Sequence, residues 1–309
     1  MNARIIKISI IVVNWNSGKQ LSDCMKTISN AALHARFEIE VIVVDNASSD
    51  DSLVGVADSS KYVKVIRNST NRGFAAACNQ GAFVACGEYF LYLNPDTRLN
   101  DNALVSPVEF MSRPGNNKIA ICGINLKDDS GRPSTSAAHF PSVRNIATDI
   151  LGLSRLAPSL FSSHMLTATE MPSSRIVDQV IGAYFMIRRD VFNACGGFDE
   201  QFFVYYEEVD LSKRVYEIGF QSYYLANVSS FHKGGGCSEQ VKAYRLFYSL
   251  QSRLKYIKKH FSFSRRIAVI LLMWIEFPLR LAKALIGGSV SDARNTVHAY
   301  ALLINSFWA

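Results

Sequence analysis

Glu207-Glu208-Val209-Asp210 places three carboxylates within four residues, directly after Phe202, Phe203, Tyr205 and Tyr206. A carboxylate among apolar and like-charged neighbours gains basicity, which a general base needs. Acidic residues also favour a helix N-terminus through its dipole, but that leaves the aromatic crowding unexplained. Asp96 follows an apolar run, one residue past Pro95. A carboxylate there could hold a hard divalent cation bridging two phosphates, or simply cap a turn. Asp45 ends another apolar run and could accept from a base N–H or a ribose hydroxyl, or close an Asx-turn. Arg72-Gly73 precedes a helix-like stretch. An Arg beside free helix-start amides suits a phosphate, although a surface Arg would look the same. His232 lies in Phe231-His232-Lys233-Gly234-Gly235-Gly236. Its imidazole could be a further metal ligand beside glycines that let backbone approach a ligand closely. A lone His is more often structural.

These residues need a scaffold that gathers them. Ile8–Val13, Glu40–Val44, Tyr62–Ile66 and Tyr89–Leu93 are short, β-branched or aromatic runs that predict strands buried on both faces. Helix-like stretches, Lys19–Ala32, Ser52–Ala57 and Phe74–Cys86, alternate with them. Strand, helix, strand, helix predicts a parallel sheet with covered faces. Such sheets bind ligands beyond the carboxyl ends of their strands. That is where Asn14-Trp15-Asn16, Asp45-Asn46, Asn71-Arg72-Gly73 and Asn94-Pro95-Asp96 fall. Residues 125–175 read as loops, Ile176–Ile187 as one strand, 196–199 as a turn, 202–219 as including a helix and Phe220–Leu225 as a strand. Past residue 240 the pattern is helical.

The chain has 309 residues, 49% hydrophobic and 19% charged, which excludes wholesale disorder. The net charge of +7 is unevenly spread. Residues 242–309 hold eleven Lys/Arg against two acidic residues, and the rest of the chain holds 22 against 24. The basic end interleaves cations with Leu, Ile and Trp. That suits an anionic membrane surface or a protein partner better than nucleic acid. No run reaches the ~18 apolar residues of a spanning helix, and the longest stops at Glu276 and Pro278. Six cysteines without a CxxC pair, and no signal peptide, fit free thiols in a reducing cytoplasm.

Taken together the loops resemble inverting glycosyltransferase family 2. The matching pieces occur in the family's order: Ser9–Asn16, Val43–Asp50, Asn71–Ala75, Leu93–Thr97, Gly182–Arg188, Gly196–Glu200, Phe203–Leu211, and His232 with its glycines and Ser238. The wording Asn-Pro-Asp-Thr and Glu-Glu-Val-Asp-Leu is most similar to the rhamnosyltransferase branch that builds bacterial surface polysaccharides. The resemblance implies a GT-A fold, an α/β architecture with a mostly parallel central sheet and helices on both faces. That domain would span residues 1–240, with a nucleotide-binding half to about 125 and an acceptor half from 126. A basic helical extension, 241–309, would follow.

The resemblance also implies roles. Asn14, Asn16, Asp45, Asn46, Arg72, Gly73, Asn94 and Asp96 would line the nucleotide-sugar site. Asp96 and His232 would hold Mg²⁺ or Mn²⁺. Gly182, Ala183 and Tyr184 would shape the donor-sugar or acceptor pocket. Glu208 matches the family's catalytic base, usually an Asp, and a one-residue slip would make Glu207 the base instead. Asn94 replaces a second Asp of the family's acidic motif. The implied donor is a nucleotide-diphospho-sugar, with dTDP-rhamnose favoured, and the acceptor a saccharide, often lipid-linked. The implied location is the cytoplasmic face of the membrane, held peripherally through the basic end, with self-association left open. A nucleotidyltransferase would need a glycine-rich basic loop after the first strand, where Asn14-Trp15-Asn16 stands. A non-catalytic scaffold would not need Asp45, Asp96, Glu208 and His232 together.

Overall fold

The computed structural model describes residues 7–56, 62–157, 160–161, 163–166, 170–234 and 241–307. The chain forms two compact units. One takes in Met1–His139, Met165–Glu200 and Glu207–Cys237. The other takes in Phe140–His164, Gln201–Tyr206 and Ser238–Ala309.

The first unit is built on a sheet whose leading half alternates as its sequence predicts: β1 (Lys7–Asn14), α1 (Lys19–Ala32), β2 (Glu38–Asp45), β3 (Val63–Arg67), α2 (Phe74–Val84) and β4 (Tyr89–Leu93). Then follow β5 (Thr97–Leu99), α3 (Val105–Ser112), β6 (Ile119–Lys127) and β7 (Ala137–Ala138). The main sheet runs β3-β2-β1-β4 and continues through later strands. β1 is parallel to both β2 and β4. Alternation along β1 divides the core. Ile8, Ile10 and Val12 pack in one cluster with α1 residues such as Leu21 and Met25. Ile11 and Val13 pack in the other with Ala75, Ala77 and Cys78 of α2. Each fully buried aliphatic side chain contributes roughly 1.5–3 kcal/mol. A parallel sheet needs such cover on both faces. The small residues of α2 set how closely it lies on the sheet: a Cβ at Gly81 would meet Ile11 Cγ2 at 2.5 Å.

Three expectations change here. Ser52–Ala57 is not a helix. A single 3₁₀ turn, Asp51–Leu53, forms instead, capped by the Asp50 carboxylate on the Ser52 amide, and Ala57 lies outside the described residues. The run Ile176–Ile187 is not one strand but three: β9 (Arg175–Val177), β10 (Gln179–Val180) and β11 (Tyr184–Arg188). Each has a different partner. β9 joins β12 (Gln221–His232), β10 joins β7 in a small second sheet, and β11 enters the main sheet antiparallel to β4. Residues 125–175 are also more ordered than loops. They contain β7, β8 (Met165–Leu166) and, in the second unit, α4 (Val143–Ile150) and α5 (Leu153–Leu156). Ser142 and Asn145 close a reciprocal capping box on α4.

The first unit is completed by α6 (Arg189–Ala194) and α7 (Glu207–Glu217). Their Val191, Phe192, Leu211 and Val215 cover the same face as α2. The second unit is dominated by α8 (Lys242–His260), α9 (Phe263–Ile286) and α10 (Val290–Asn305). α9 runs through Glu276 and Pro278, where its longest apolar run stops. Glu276 is buried and paired with Arg253 at 2.6 Å and Arg280 at 2.5 Å, so its charge does not end the helix. No described helix is long and apolar enough to cross a membrane.

Candidate active site

The registers of the main sheet bring several segment ends to one edge. Asn14 pairs with Asp45, Tyr184 of antiparallel β11 pairs with Leu93, and His232 pairs with Thr97. The loops after β1, β2, β3 and β4, the turn before β11 and the end of β12 therefore share that edge. The carboxyl ends of a mostly parallel sheet are where ligands bind.

The first two loops are tied together by hydrogen bonds. Asn14, fully buried, lies 2.8 Å through Nδ2 from both Asp45 Oδ1 and Ser52 Oγ. Its Oδ1 accepts from Ser17 Oγ. Asp45 also accepts from Ser48 Oγ at 2.6 Å and, more loosely, from the Ser48 amide. Asn16 Oδ1 accepts from the Ser49 amide at 2.8 Å. The Asp50 carboxylate accepts from the Gly18 amide. Burial raises its pKa, but the bonds from Ser52 and Gly18 prevail and the net direction is down.

Asn46 organises the third loop. Its Nδ2 donates to Asn71 Oδ1 and the Gly73 carbonyl. Its Oδ1 accepts from Asn68 Nδ2 and the Arg72 amide. Gly73 stands at the start of α2 with φ +87°, where a Cβ would be strained. The Arg72 guanidinium is exposed and has no partner among the described residues, which leaves it available to an anion.

Asp96 and His232 face each other. His232 Nε2 lies 3.4 Å from Asp96 Oδ1, and both side chains are largely shielded from water. Asn94 is half-buried beside them, and its amide donates to the Ala183 carbonyl. No group of three or more His, Cys, Asp or Glu gathers among the described residues. A carboxylate and an imidazole still fit a divalent cation whose other ligands are diphosphate oxygens and water, since Mg²⁺ usually takes few protein ligands.

The start of α7 contrasts with these loops. Glu207 is buried and Glu208 half-buried, and Oε2 of each is shielded from water without a hydrogen-bond partner. Burial raises the pKa of Glu207 well above the usual range, and the Glu208 charge adds to it. Burial also raises Glu208, while amides of Glu208, Val209 and Gly182 that donate to it pull the other way. Two buried neighbours cannot both ionise cheaply, and the more deeply buried Glu207 is the one raised further. A Cβ at Gly182 would stand 3.8 Å from Glu208 Cδ, so residue 182 directly borders that carboxyl.

Sequence reasoning placed Asn14, Asn46 and Tyr184 against ligand, and the structure uses them internally. Tyr184 lies in the core, its hydroxyl donating to the Ala103 carbonyl at 2.6 Å. Ala183 uses its carbonyl to hold Asn94 and Thr97. Asn16, Asp45, Arg72, Gly73, Asp96, Gly182, Glu208 and His232 all lie at or beside the edge. Gly235, Gly236 and Ser238 fall outside the described residues. Sequence reasoning missed Ser48, Asp50 and Ser52, although Asp50-Asp51-Ser52 carries a helix-start signature. It also missed Cys78, which the charges of the α7 carboxylates reach. Burial raises the pKa of Cys78, and the Glu207 and Glu208 charges add to it. No local pattern announces it, since Cys78 reads as ordinary core.

Comparisons with known proteins agree with this layout. The model of the family described as Glycosyl transferase family 2 matches residues 9–196. N-acetylglucosaminyl-diphospho-decaprenol L-rhamnosyltransferase of Mycobacterium tuberculosis is 24% identical over 236 residues, covering 72% of this chain and 75% of its own. Rhamnosyltransferase WbbL of Escherichia coli is 21% identical over 58% of this chain and 65% of its own. Among solved structures, the mannosyltransferase PcManGT from Pyrobaculum calidifontis, in complex with GDP-Man and Mn²⁺, superposes with a TM-score of 0.55 at 17% identity, covering 96% of this chain and 80% of that one. S. aureus TarS 1–349 with UDP-GlcNAc gives 0.53 at 15% identity, covering 96% and 92%. At these identities the likeness shows the fold, the GT-A architecture.

Proposed function

Since the chain belongs to glycosyl transferase family 2, and is a glycosyltransferase, we propose that it moves L-rhamnose from dTDP-rhamnose onto a lipid-linked saccharide, with inversion at the anomeric carbon. The observation that carries the reading is the half-buried Glu208 carboxyl beside Gly182, whose Oε2 has no hydrogen-bond partner, on the sheet edge that also holds Asp96 and His232. The choice of rhamnose and of a lipid-linked acceptor draws on the names of the two rhamnosyltransferase relatives.

Glu208 takes the proton of an acceptor hydroxyl as that oxygen bonds to the anomeric carbon. The bond from that carbon to the diphosphate oxygen breaks, its electrons leave with the nucleoside diphosphate, and the configuration inverts. A bound divalent cation would neutralise charge on the leaving diphosphate, with Asp96 and His232 as its protein ligands. Glu207, protonated, adds no second negative charge beside the base. The exposed Arg72 guanidinium, beside the start of α2, receives phosphate oxygens. Asp45, already oriented by Asn14 and Ser48, accepts from the base or ribose.

α9 supports a membrane-surface location. Phe263, Ile267, Leu271 and Trp274 recur at steps of four, four and three and are all exposed, a single apolar stripe beside Arg265 and Arg266. The opposite side, with Val269 and Met273, is buried. Such a helix lies in the headgroup boundary of an anionic, cytoplasm-facing leaflet.

A panel of nucleotide sugars with Mg²⁺ or Mn²⁺, read by thermal shift and released nucleoside diphosphate, tests the reading. dTDP-rhamnose should stabilise the protein and be turned over on a lipid-linked acceptor. Preference for a UDP- or GDP-sugar would replace the rhamnose assignment, and silence toward all donors would sink the transfer reading. Truncation after residue 262 should abolish sedimentation with anionic vesicles, and unchanged sedimentation would remove the tail from membrane binding.

A further inference from the structure

We infer that Arg214 is a positioning residue for Glu208, because its guanidinium ties one side of α7 to the glycine turn 195–197 and so fixes the roll of that helix. This rests on the reading of Glu208 as the base.

Arg214 uses its whole fork on this tie. Nε and Nη2 both stand 2.8 Å from Asp210 Oδ2. Nη1 donates to the Cys195 carbonyl at 2.5 Å, and Nη2 to the Gly197 carbonyl at 2.8 Å. Asp210 is fully buried, and the Arg214 side chain is 18% exposed. The turn is fixed from its other side by α2. Asn79 Oδ1 accepts from the Phe198 amide at 3.0 Å. Its Nδ2 donates to the Phe198 carbonyl at 2.9 Å and to Glu200 Oε1 at 3.0 Å. Gly197 has φ +76°, and a Cβ there would meet Asn79 Oδ1 at 2.8 Å. The turn is thus held in place by α2, and Arg214 passes that placement on to α7.

Leu211 and Val215 pack α7 into the core, but apolar burial is non-directional and leaves a helix free to roll slightly. A planar guanidinium bonded to three acceptors removes that freedom. Asp210 and Arg214 stand one turn apart on one side of α7. Glu208 comes two residues before Asp210, about 160° away around the helix axis. It therefore points away from the turn, to where its carboxyl borders Gly182. Side-chain ends lie about 5–6 Å from the axis, so a roll of about 10° carries one by about 1 Å. A shift of about 1 Å in a reacting group can cost about a hundredfold in rate. A buried ion pair of this kind is a weak source of stability, since apolar replacements often serve as well, but it can fix one arrangement. What it fixes here is the side of α7 that meets Gly182.

The test is the double variant Asp210→Leu/Arg214→Met, which exchanges the buried pair for apolar side chains. Arg214→Lys is the milder probe, which keeps the charge and loses the fork. Steady-state kinetics reads kcat and donor KM. Amide exchange by mass spectrometry is read on peptides covering 193–200 and 207–215, with β1–β2 as control. The double variant should keep its cooperative melting and its donor KM, lose about tenfold or more in kcat, and exchange faster at the two tied segments alone. Arg214→Lys should move kcat and exchange in the same direction by less. If the double variant does not fold, Arg214→Lys carries the decision. Unchanged kcat at preserved melting would overturn the positioning role. So would a loss of kcat matched by a loss of melting and a rise in donor KM, which marks a merely structural pair. If the wild-type protein turns over no donor, the transfer reading fails by itself. Exchange then still decides whether Arg214 holds the turn to α7, and unchanged rates at both segments would overturn that tie.

Discussion

The loops after β1 and β2 and the first turn of α7 meet at one sheet edge, yet they treat polar groups in opposite ways. In the loops, Asn14, Asp45 and Asn46 are buried and each makes several hydrogen bonds to its neighbours. At α7, one carboxyl oxygen each of Glu207 and Glu208 is buried with none. A buried group satisfied in this way fixes the shape of its loop. An unsatisfied one is a standing cost of about 1–3 kcal/mol, and a substrate proton could relieve it. Strain divides along the same line. Among the described residues, the non-glycine positions with left-handed φ are Asn16, Ala47, Tyr205 and Tyr206, two in the loops and two before α7, at roughly 1–3 kcal/mol each.

The largest expected effect separates the two regions outright. Glu208→Gln keeps the shape and removes the proposed base, so kcat should fall roughly 10²–10⁴-fold, while donor binding and melting stay near wild type. Steady-state kinetics with a donor thermal-shift control measures both. A loss of donor binding instead would move Glu208 from chemistry to architecture. The converse substitution is Asn46→Ala, which strips partners from Asn68, Asn71 and the amide of Arg72 at once. Stability should drop by about 1–3 kcal/mol and donor KM should rise, with kcat much less affected. Chemical denaturation and the KM-against-kcat split test this.

A third prediction compares two buried glutamates of opposite sign. Burial and the Glu208 charge raise Glu207. Its contribution is therefore complete below the ordinary carboxyl pKa and is lost as pH rises through the raised folded value. Burial also raises Glu276, but Arg253 and Arg280 outweigh it and the net direction is down. Its contribution is present above the ordinary pKa and lost as pH falls. Glu207→Gln, which does not titrate, should thus gain on wild type as pH rises from about 5 to 8, by at most about 1.4 kcal/mol per pH unit. Glu276→Gln should lose most at neutral pH and converge on wild type in acid. Melting curves across pH read both, and parallel curves for Glu207→Gln would contradict the protonated assignment.

What the sequence disclosed follows from the range of each interaction. The four leading strands were legible because period and β-branching are local, and the sheet edge followed from their parallel order. Asp45, Asp96 and Glu208 were legible as carboxylates at strand ends or a helix start. Asn14 and Asn46 stood in the right loops, but nothing local tells an amide that binds a ligand from one that binds a neighbouring loop. Apart from Ser17 beside Asn14, their partners lie 22 to 38 residues away. The segment 176–187 looked like one strand because its apolar residues are continuous, and its three partners lie elsewhere in sequence. Glu276 looked like a break in an apolar run because Arg253, which makes it a core residue, is 23 positions earlier.

The smallest expected effect lies where the two regions meet. Gly182 donates its amide to Glu208 and precedes Ala183, whose carbonyl holds Asn94 and Thr97. A Cβ there would sit 3.8–3.9 Å from the Glu208 side chain, ordinary contact, and residue 182 needs no left-handed φ. Gly182→Ala should therefore fold as well as wild type. The added methyl group would border the carboxyl proposed to take the acceptor proton. Acceptor KM should rise a few-fold, since one methyl group in a pocket changes discrimination only modestly, with donor KM unchanged. A rise in donor KM instead, read by titrating each substrate separately, would put Gly182 on the nucleotide-sugar side of the edge and away from the acceptor.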